Sequence, residues 1–187
     1  YYLDATPGTE NNAKPFDGIG TMPVAEEQPV LINEILTDNR TSLPDEDGDL
    51  ENWIEIYNPG SEAVNLNRFW LSDKIENPFK WRFPAVIIDA DSYLVVFASG
   101  KNRSDPHGPY LHTNFSLNDR DDTLIISTPH GSVVDLLEIR NMERDVAYGR
   151  DPHNPERWLY FPRPTPGEKN YTQGFEQFRG KAPANLQ

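Results

Sequence analysis

The sequence predicts an all-β fold, a sandwich of two packed sheets, and three observations carry that prediction. Its apolar runs are short and often alternate with polar residues, the period of a half-buried strand. They recur at intervals of roughly 8–12 residues with turn residues between them, the rhythm of sandwiches and barrels. Seventeen prolines are spread along 187 residues, each removing a donor and clashing with the preceding helical turn. No window gives an amphipathic helix.

The predicted strands occupy 30–36, 53–58, 64–66, 69–72, 80–83, 86–88, 93–98, 123–127, 132–139, 146–150 and 157–161. In Trp53-Ile54-Glu55-Ile56-Tyr57, Ile54 and Ile56 fall on one face and Trp53, Glu55 and Tyr57 on the other. Asn58-Pro59-Gly60, Asn77-Pro78 and Asp89-Ala90-Asp91 are turn signals between runs. Pro129-His130-Gly131 separates two β-rich runs and predicts a hairpin. The sandwich should cover about 29–162.

The ends read differently. Residues 11–28 are polar and rich in Pro, Gly and acid, and 171–187 lack a strand pattern beyond 174–178. Yet Tyr1-Tyr2-Leu3-Asp4-Ala5-Thr6-Pro7-Gly8-Thr9-Glu10-Asn11 aligns with Tyr160-Phe161-Pro162-Arg163-Pro164-Thr165-Pro166-Gly167-Glu168-Lys169-Asn170. Five of eleven positions are identical, and Phe16 falls opposite Phe175 at the same offset of 159 residues. That offset is about one domain. Residues 1–28 therefore read as the tail of a preceding repeat plus a linker, and 171–187 as a linker to a following domain. The blander alternative is a chance Thr-Pro-Gly turn in two loops. The chain opens on Tyr1 and shows no signal peptide, so the expectation is a fragment or processed product with targeting information upstream.

Composition narrows the function. A net charge of −13 opposes a simple nucleic-acid binder, whose affinity rests on basic side chains meeting phosphates, and opposes an anionic membrane surface equally. Thirteen acids against five bases lie between 29 and 99, and five of those acids lie in 45–51. With no cysteine, disulfide frameworks, zinc–thiolate sites and Cys nucleophiles are excluded. No stretch approaches the roughly 18 apolar residues of a membrane span.

Several phrases in order carry a family resemblance: Ile32-Asn33-Glu34-Ile35, Asp45-Glu46-Asp47-Gly48-Asp49, Trp53 through Gly60, Leu71-Ser72-Asp73, Asn77 through Pro84, Leu111-His112-Thr113-Asn114-Phe115-Ser116-Leu117, Val146 through Arg150, and Pro164-Thr165-Pro166-Gly167. Over about 29–170 the chain resembles a bacterial lamin tail domain. The resemblance implies an immunoglobulin-like β-sandwich in a secreted or surface protein, often beside kinase-like domains, nucleases or hydrolases. It also implies a tethering or binding module rather than a catalyst. Animal lamins use theirs on chromatin and nuclear-envelope partners. The acidity here argues against a DNA role, and no heptad supports a filament. The turn Asn118-Asp119-Arg120-Asp121-Asp122 departs from the Gly-containing turn more usual in the family.

Among candidate sites, 45–51 stands first. Hard cations such as Ca²⁺ take six to eight oxygens, and Asp45, Asp47, Asp49 and Glu51 on a Gly-containing loop are the residues that would supply them. The match to an EF-hand loop is poor, because Gly follows the second ligand position and position 12 is Ile56. The competing reading is a solvated acidic turn. Metal-dependent phosphoryl or nuclease chemistry would also want a base and a Lys or Arg clamp, and none lies nearby in sequence. Glu34 and Glu55, inside predicted strands, could form an acid–base pair across a cleft as in glycosidases. The alternative is that they pair with Arg68, Arg82 or Arg150 on a solvated face, or accept from loop amides.

The histidines 107, 112, 130 and 153 show no zincin spacing and no recognisable Ser-His-Asp order. His112, inside a family phrase, reads as a structural hydrogen-bonding group. Gly100-Lys101 lacks a Walker loop around it. Trp53, Trp70, Trp81 and Trp158, with Tyr57, Tyr93 and Tyr148, are core fillers first and platforms for a sugar or a partner's side chain second. The expectation is a non-enzymatic, monomeric module that binds protein or glycan partners and adjoining domains, not nucleic acid or the membrane interior, at a bacterial cell surface or outside the cell. A Ca²⁺-dependent adhesion or carbohydrate-binding module using 45–51 is the first alternative, and a hydrolase using Glu34 and Glu55 the second.

Overall fold

The computed structural model describes residues 23–25, 29–118, 122–139 and 142–177. Twelve strands are found among them, in chain order β1 Leu31–Leu36, β2 Trp53–Asn58, β3 Val64–Asn65, β4 Trp70–Ser72, β5 Trp81–Arg82, β6 Ile87–Ile88, β7 Ser92–Phe97, β8 Leu111–His112, β9 Asp122–Ser127, β10 Val133–Ile139, β11 Ala147–Asp151 and β12 Asn154–Phe161. Each of the eleven predicted runs holds a strand. The addition is β8, two residues long, which gives no periodic signal and pairs in parallel with β7.

Two main sheets pack face to face. One has six strands in the order β12-β11-β1-β2-β7-β8, the other four in the order β10-β9-β4-β5, and β3-β6 forms a small third sheet. The principal core lies between the two main sheets, where Ile32, Ile35, Ile54, Ile56 and Val96 meet Leu71, Trp81, Leu124, Ile126 and Leu137. Arg150 also spans this interior. It bonds both oxygens of Asp135 at 3.0 and 2.9 Å, and Asp135 accepts the Ile32 amide at 2.7 Å.

The six-stranded sheet is buried on its outer face too. Leu36, Trp53, Phe97, Ala147, Leu159 and Phe161 form a second cluster there, which is why β1 and β2 are buried almost without alternation. A bulge decides what else faces outward. Ile32 pairs with Ile56, but the next pair is Glu34 with Glu55, leaving Asn33 as the extra residue. An added residue shifts every later side chain to the opposite face. Ile35 thus returns to the core, and Glu34 lies beside Glu55 on the outer face.

The sheets reach beyond 29–170 at both ends. Val24 makes a parallel bridge with Val133 of β10, and Phe175 makes an antiparallel bridge with Tyr160 of β12. Among the described residues, no helix is long and apolar enough to cross a membrane.

Candidate functional site

The acidic loop joins β1 to β2, and the strand order puts it next to the connection from β7 to β8. The loop winds around one carboxylate. Asp45 Oδ1 accepts the amides of Asp47 and Asp49, each at 2.9 Å, while Gly48 takes φ +85° to close the turn. Lys101, delivered by the β7–β8 connection, places its ammonium among the carboxylates of Asp45, Asp47 and Asp49 at 2.5, 3.0 and 2.7 Å. Glu51 stands at the rim, 4.0 Å from the same nitrogen. Arg103 bonds Glu46 and Asp47 at 2.5 and 2.6 Å. The basic groups missing from the local sequence are therefore present in space.

The electrostatics follow. Burial is the largest single influence on Asp45 and Glu46 and pushes both up, but the opposing bonds together win. Lys101 and loop amides hold Asp45 below its usual value, and His112 and Arg103 hold Glu46 down to about 2. Bonds to Arg103 and Lys101 lower Asp47 to about 2. Oxygens of Asp45, Asp47 and Asp49 lie within 4.8 Å of one another, as do ligand atoms of Asp45, Glu46 and His112. A hard cation would find oxygens of a suitable kind here, and it would compete with the Lys101 ammonium for them.

His112 is fully buried and links two segments. Its Nε2 lies 2.9 Å from Glu46 Oε2 and its Nδ1 2.8 Å from Ser99 Oγ. A carboxylate only accepts, so Nε2 donates to Glu46, and the simplest tautomer leaves Nδ1 to accept from Ser99. The order Ser–His–Glu resembles a nucleophile relay. Here, however, the imidazole is stacked on Phe97 at 5.3 Å and Arg103 occupies the acid's other oxygen. The chain of bonds fastens the acidic loop to β8.

Glu34 and Glu55 lie under the segment after β12, a strap running over 162–177. Thr165 donates its amide to Glu34 Oε2 at 3.2 Å, and Gly167 donates its own to Glu55 Oε2. Asn33 donates to Glu55 Oε1 at 2.7 Å and to Asn170 Oδ1 at 3.2 Å, and Asn170 donates to the Arg150 carbonyl at 2.8 Å. Gly149 lets the strap come this close. A Cβ there would sit 2.5 Å from Asn170 Nδ2 and 3.1 Å from the Asn33 carbonyl.

Both glutamates are 0% exposed. Burial, then repulsion from Glu55, raises Glu34 to about 8 against the lowering effect of the Thr165 amide. Burial raises Glu55 to about 7, against the bonds from Asn33 and Gly167. Values near neutrality often mark acid–base catalysts, but structural burial produces them as well. The solvated sheet face and the Arg partner expected for these residues are corrected here. Arg150 is engaged with Asp135, while Arg68 and Arg82 lie over the rings of Phe69 and Trp70. The two acids are cross-strand neighbours on one sheet face, and the strap fills the place a cleft would occupy.

The aromatic candidates divide. Trp53 and Trp81 are core residues. Trp158 is packed between Arg150, at 4.8 Å, and Tyr148, at 5.2 Å, and Trp70 is half-buried. Tyr57 and Tyr93 differ from these. They stack at 4.5 Å and 16° on the outer face, and the Tyr57 hydroxyl donates to Asp91 at 2.6 Å. Tyr93 borders two hollows. One of about 300 Å³ runs between Pro106–Tyr110 and the strap at Pro166-Gly167. The other, of about 200 Å³, is lined by Tyr57, Pro59, Arg150 and Lys169. The remaining histidines, 107, 130 and 153, belong to neither group of converging ligand atoms among the described residues.

Two sheets with a common core and a sealed outer face define an immunoglobulin-like all-β sandwich. Comparison with known families is more specific. The Lamin Tail Domain family matches residues 23–141, and the chain belongs to that family. No curated protein matches it. Family and fold together fit a non-catalytic module. The match stops short of β11, β12 and the strap, so the parts that bury Glu34 and Glu55 lie outside it.

Proposed function

We propose that this chain is a binding and tethering module of a larger secreted or cell-surface bacterial protein, and that it takes a protein or glycan partner through the hollows beside Tyr93. The observation that carries this reading is the half-buried Tyr57–Tyr93 stack, whose Tyr93 lines both hollows. Amphipathic rings offer a flat apolar face and a polar rim, which suits a sugar ring or an anchoring side chain. The loops and strap that shape the hollows sit on a sheet buried on both sides, the rigid support that recognition loops need. Co-sedimentation with insoluble peptidoglycan, chitin and cellulose, and titration with the adjoining domains of the parent protein, test it. Tyr93→Ala should weaken the interaction about tenfold or more at a temperature where the variant, which loses its stack on Tyr57, is still fully folded. Equal binding by the variant and its parent would sink this assignment.

A second reading, Ca²⁺-dependent adhesion, draws support from the convergence of Asp45, Asp47 and Asp49. In that reading Ca²⁺ displaces Lys101 and orders the loop for a partner. A folded-state ligand raises apparent stability, so a melting midpoint indifferent to both EDTA and Ca²⁺ counts against it.

A further inference from the structure

The strap over 162–177 is fastened unlike the rest of the molecule. Its buried residues are Thr165 and Asn170, both polar. Its apolar residues stay half-buried or exposed, with Tyr171 at 70% and Phe175 at 41% exposure. The cluster beneath it, built on Trp53, Phe97 and Phe161, takes no member from the strap among the described residues. Polar bonds therefore hold it. They are the Thr165 and Gly167 amides on Glu34 and Glu55, and Asn170 between Asn33 and the Arg150 carbonyl. The backbone pairing of Phe175 with Tyr160 and an exposed Arg157–Glu176 pair complete the set. A segment that buries so little apolar surface belongs to the low-stability end of a fold and can open without the rest.

Two of those bonds end on carboxyls that are unequally served. Glu55 accepts from Asn33 on one oxygen and from Gly167 on the other. Glu34 accepts from Thr165 on Oε2, while its buried Oε1 has no partner among the described residues. The two acids are paired across β1 and β2, and like charges side by side in a dry site do not both ionise readily. The donors fall to Glu55, so the proton falls to Glu34, on Oε1. Nothing packed around the pair relieves it. The strap contributes Glu168, whose charge raises Glu55 further, while Lys169 is exposed. From β7 comes Tyr93, whose hydroxyl is pushed up by burial, Tyr57 and Glu55, and the Tyr57 hydroxyl is bonded to Asp91. β11 and β12 present Gly149 and Leu159, and the Arg150 guanidinium is taken by Asp135.

We propose that the strap is a proton-operated latch: with the proton on Glu34 it stays shut, and without it residues 162–177 lift from a sandwich that remains folded. The lifted segment carries a wall of each hollow beside Tyr93, Pro166 and Gly167 of one, Lys169 and Asn170 of the other. A partner seated there holds the latch closed, and loss of the proton releases it. That consequence rests on the partner-binding reading, whereas the latch itself does not. The sign follows from burial. Water reaching an opened site returns Glu34 from about 8 toward the ordinary 4.5, so closing takes up a proton anywhere between those values. The shut state therefore loses ground as pH rises from about 4.5 and levels off above about 8.

Trypsin reads the latch directly. It cuts after Lys or Arg but not before Pro, so Lys169-Asn170 is its one bond within 162–177, and Asn170 is 1% exposed. Cutting there requires the strap to lift, and its rate tracks the open population when reclosing is fast. Rates in the full chain are divided by those of a synthetic 162–177 peptide, which cancels the protease's own response to pH. The ratio should rise about tenfold or more from pH 6 to pH 8 and flatten above, one proton being worth up to tenfold per pH unit. Urea below the unfolding transition should leave it unmoved, because a lifted strap exposes little surface. Near-UV circular dichroism should stay native throughout. Glu34→Gln should hold the ratio within about twofold over the same range. Asn170→Ala, which cuts a tie without touching either carboxyl, should raise the ratio against its own peptide at every pH. A flat ratio in the parent overturns the latch whether or not the Glu34 variant folds. So does a rise that Glu34→Gln shares, or one that steepens with urea, since the whole sandwich would then be what opens. Each of these results leaves the Tyr93→Ala binding test untouched, and failure of that test leaves the latch standing.

Discussion

Glu46 and Asp47 sit at about 2 on the pKa scale, while Glu34 and Glu55 sit at about 8 and about 7. All four lie on or beside β1 and β2, so the contrast comes from what covers them. The acidic loop brings its carboxylates to two basic side chains at the edge of solvent. The strap brings backbone amides to them, and the Glu168 carboxylate adds a like charge that raises Glu55 further. A charged partner stabilises the ionised form and dry burial destabilises it. One sheet thus holds two sets of carboxylates with opposite responses to pH.

The signs follow from linkage. Glu46 and Asp47 have folded values below the usual 4.5 and 3.8. Their contribution is present above about pH 4.5 and is lost as pH falls toward 2. Glu34 and Glu55 have folded values above 4.5. Their contribution is complete below about pH 4.5 and is lost as pH rises through 7 to 8, because the unfolded chain then ionises them more easily. Stability should peak between these windows, in mildly acidic solution.

The comparison breaks most completely at Gly149. Gly149→Val puts a branched side chain where even a Cβ meets Asn170 and the Asn33 carbonyl. Overpacking of this kind costs about 1–3 kcal/mol, occasionally more. Lifting the strap should also admit water to both glutamates, so the alkaline loss of stability should shrink along with the midpoint. Urea melts from pH 5 to pH 9, with proteolysis to report strap release, check both parts. A lowered midpoint with the full alkaline slope retained would mean that the strap is not what keeps the pair dry.

Glu34→Gln is the finer probe of the same site. Removing the ionisable group should leave stability near the parent's at pH 5 and raise it at pH 9. The gain should be on the order of a few kcal/mol, since each pKa unit corresponds to about 1.4 kcal/mol. Glu34 is the better choice of the two because Glu55 accepts on both oxygens, whereas Glu34 Oε1 has no partner among the described residues. Parallel pH profiles for variant and parent would show that Glu34 is not the group responsible.

The two sites differ in how far sequence alone could find them. Strand positions were readable because alternation and turn residues are local signals, as in Trp53–Asn58. The acidity of 45–51 was equally local, but its partners were not. Lys101 lies 56 residues from Asp45, and only the β1-β2-β7-β8 strand order makes them neighbours. Glu34 and Glu55 stood out as carboxylates in strands, and one reading offered for them, bonds to loop amides, holds. What alternation could not show was the bulge at Asn33, since one extra residue reverses every later assignment to a face. The strap gave one signal in advance, the repeated Thr-Pro-Gly phrase, whose role depended on contacts more than 100 residues apart.

On the acidic side, Lys101→Met carries the larger effect. It removes the ammonium shared by Asp45, Asp47 and Asp49 and leaves the 0%-exposed Asp45 side chain without its cation. Loss of one partner from such a pair leaves a buried charge uncompensated. The cost should be about 1–3 kcal/mol at pH 7 and should shrink as pH falls and the carboxylates protonate. The same variant sharpens the Ca²⁺ question, because it vacates the centre of the oxygen cluster. If Lys101 is the resident cation, Ca²⁺ should raise the melting point of Lys101→Met and leave the parent unchanged. A parent stabilised by Ca²⁺ would instead support the metal-dependent reading.

Arg103→Met should have the smallest effect. Its side chain is 41% exposed and that of Asp47 42%, and exposed pairs contribute little to stability. The loss should fade further between 0.05 and 0.5 M salt, where the screening length drops below about 10 Å. Its bond to Glu46 gives the variant a second consequence, because Glu46 also holds the buried His112. Without Arg103, Glu46 keeps one charged or polar partner fewer, and its pKa should rise from about 2 toward 4.5. NMR titration of the Glu46 carboxyl reads that shift directly. An unmoved Glu46 would place its depression on His112 alone and make Arg103 a bystander to the loop.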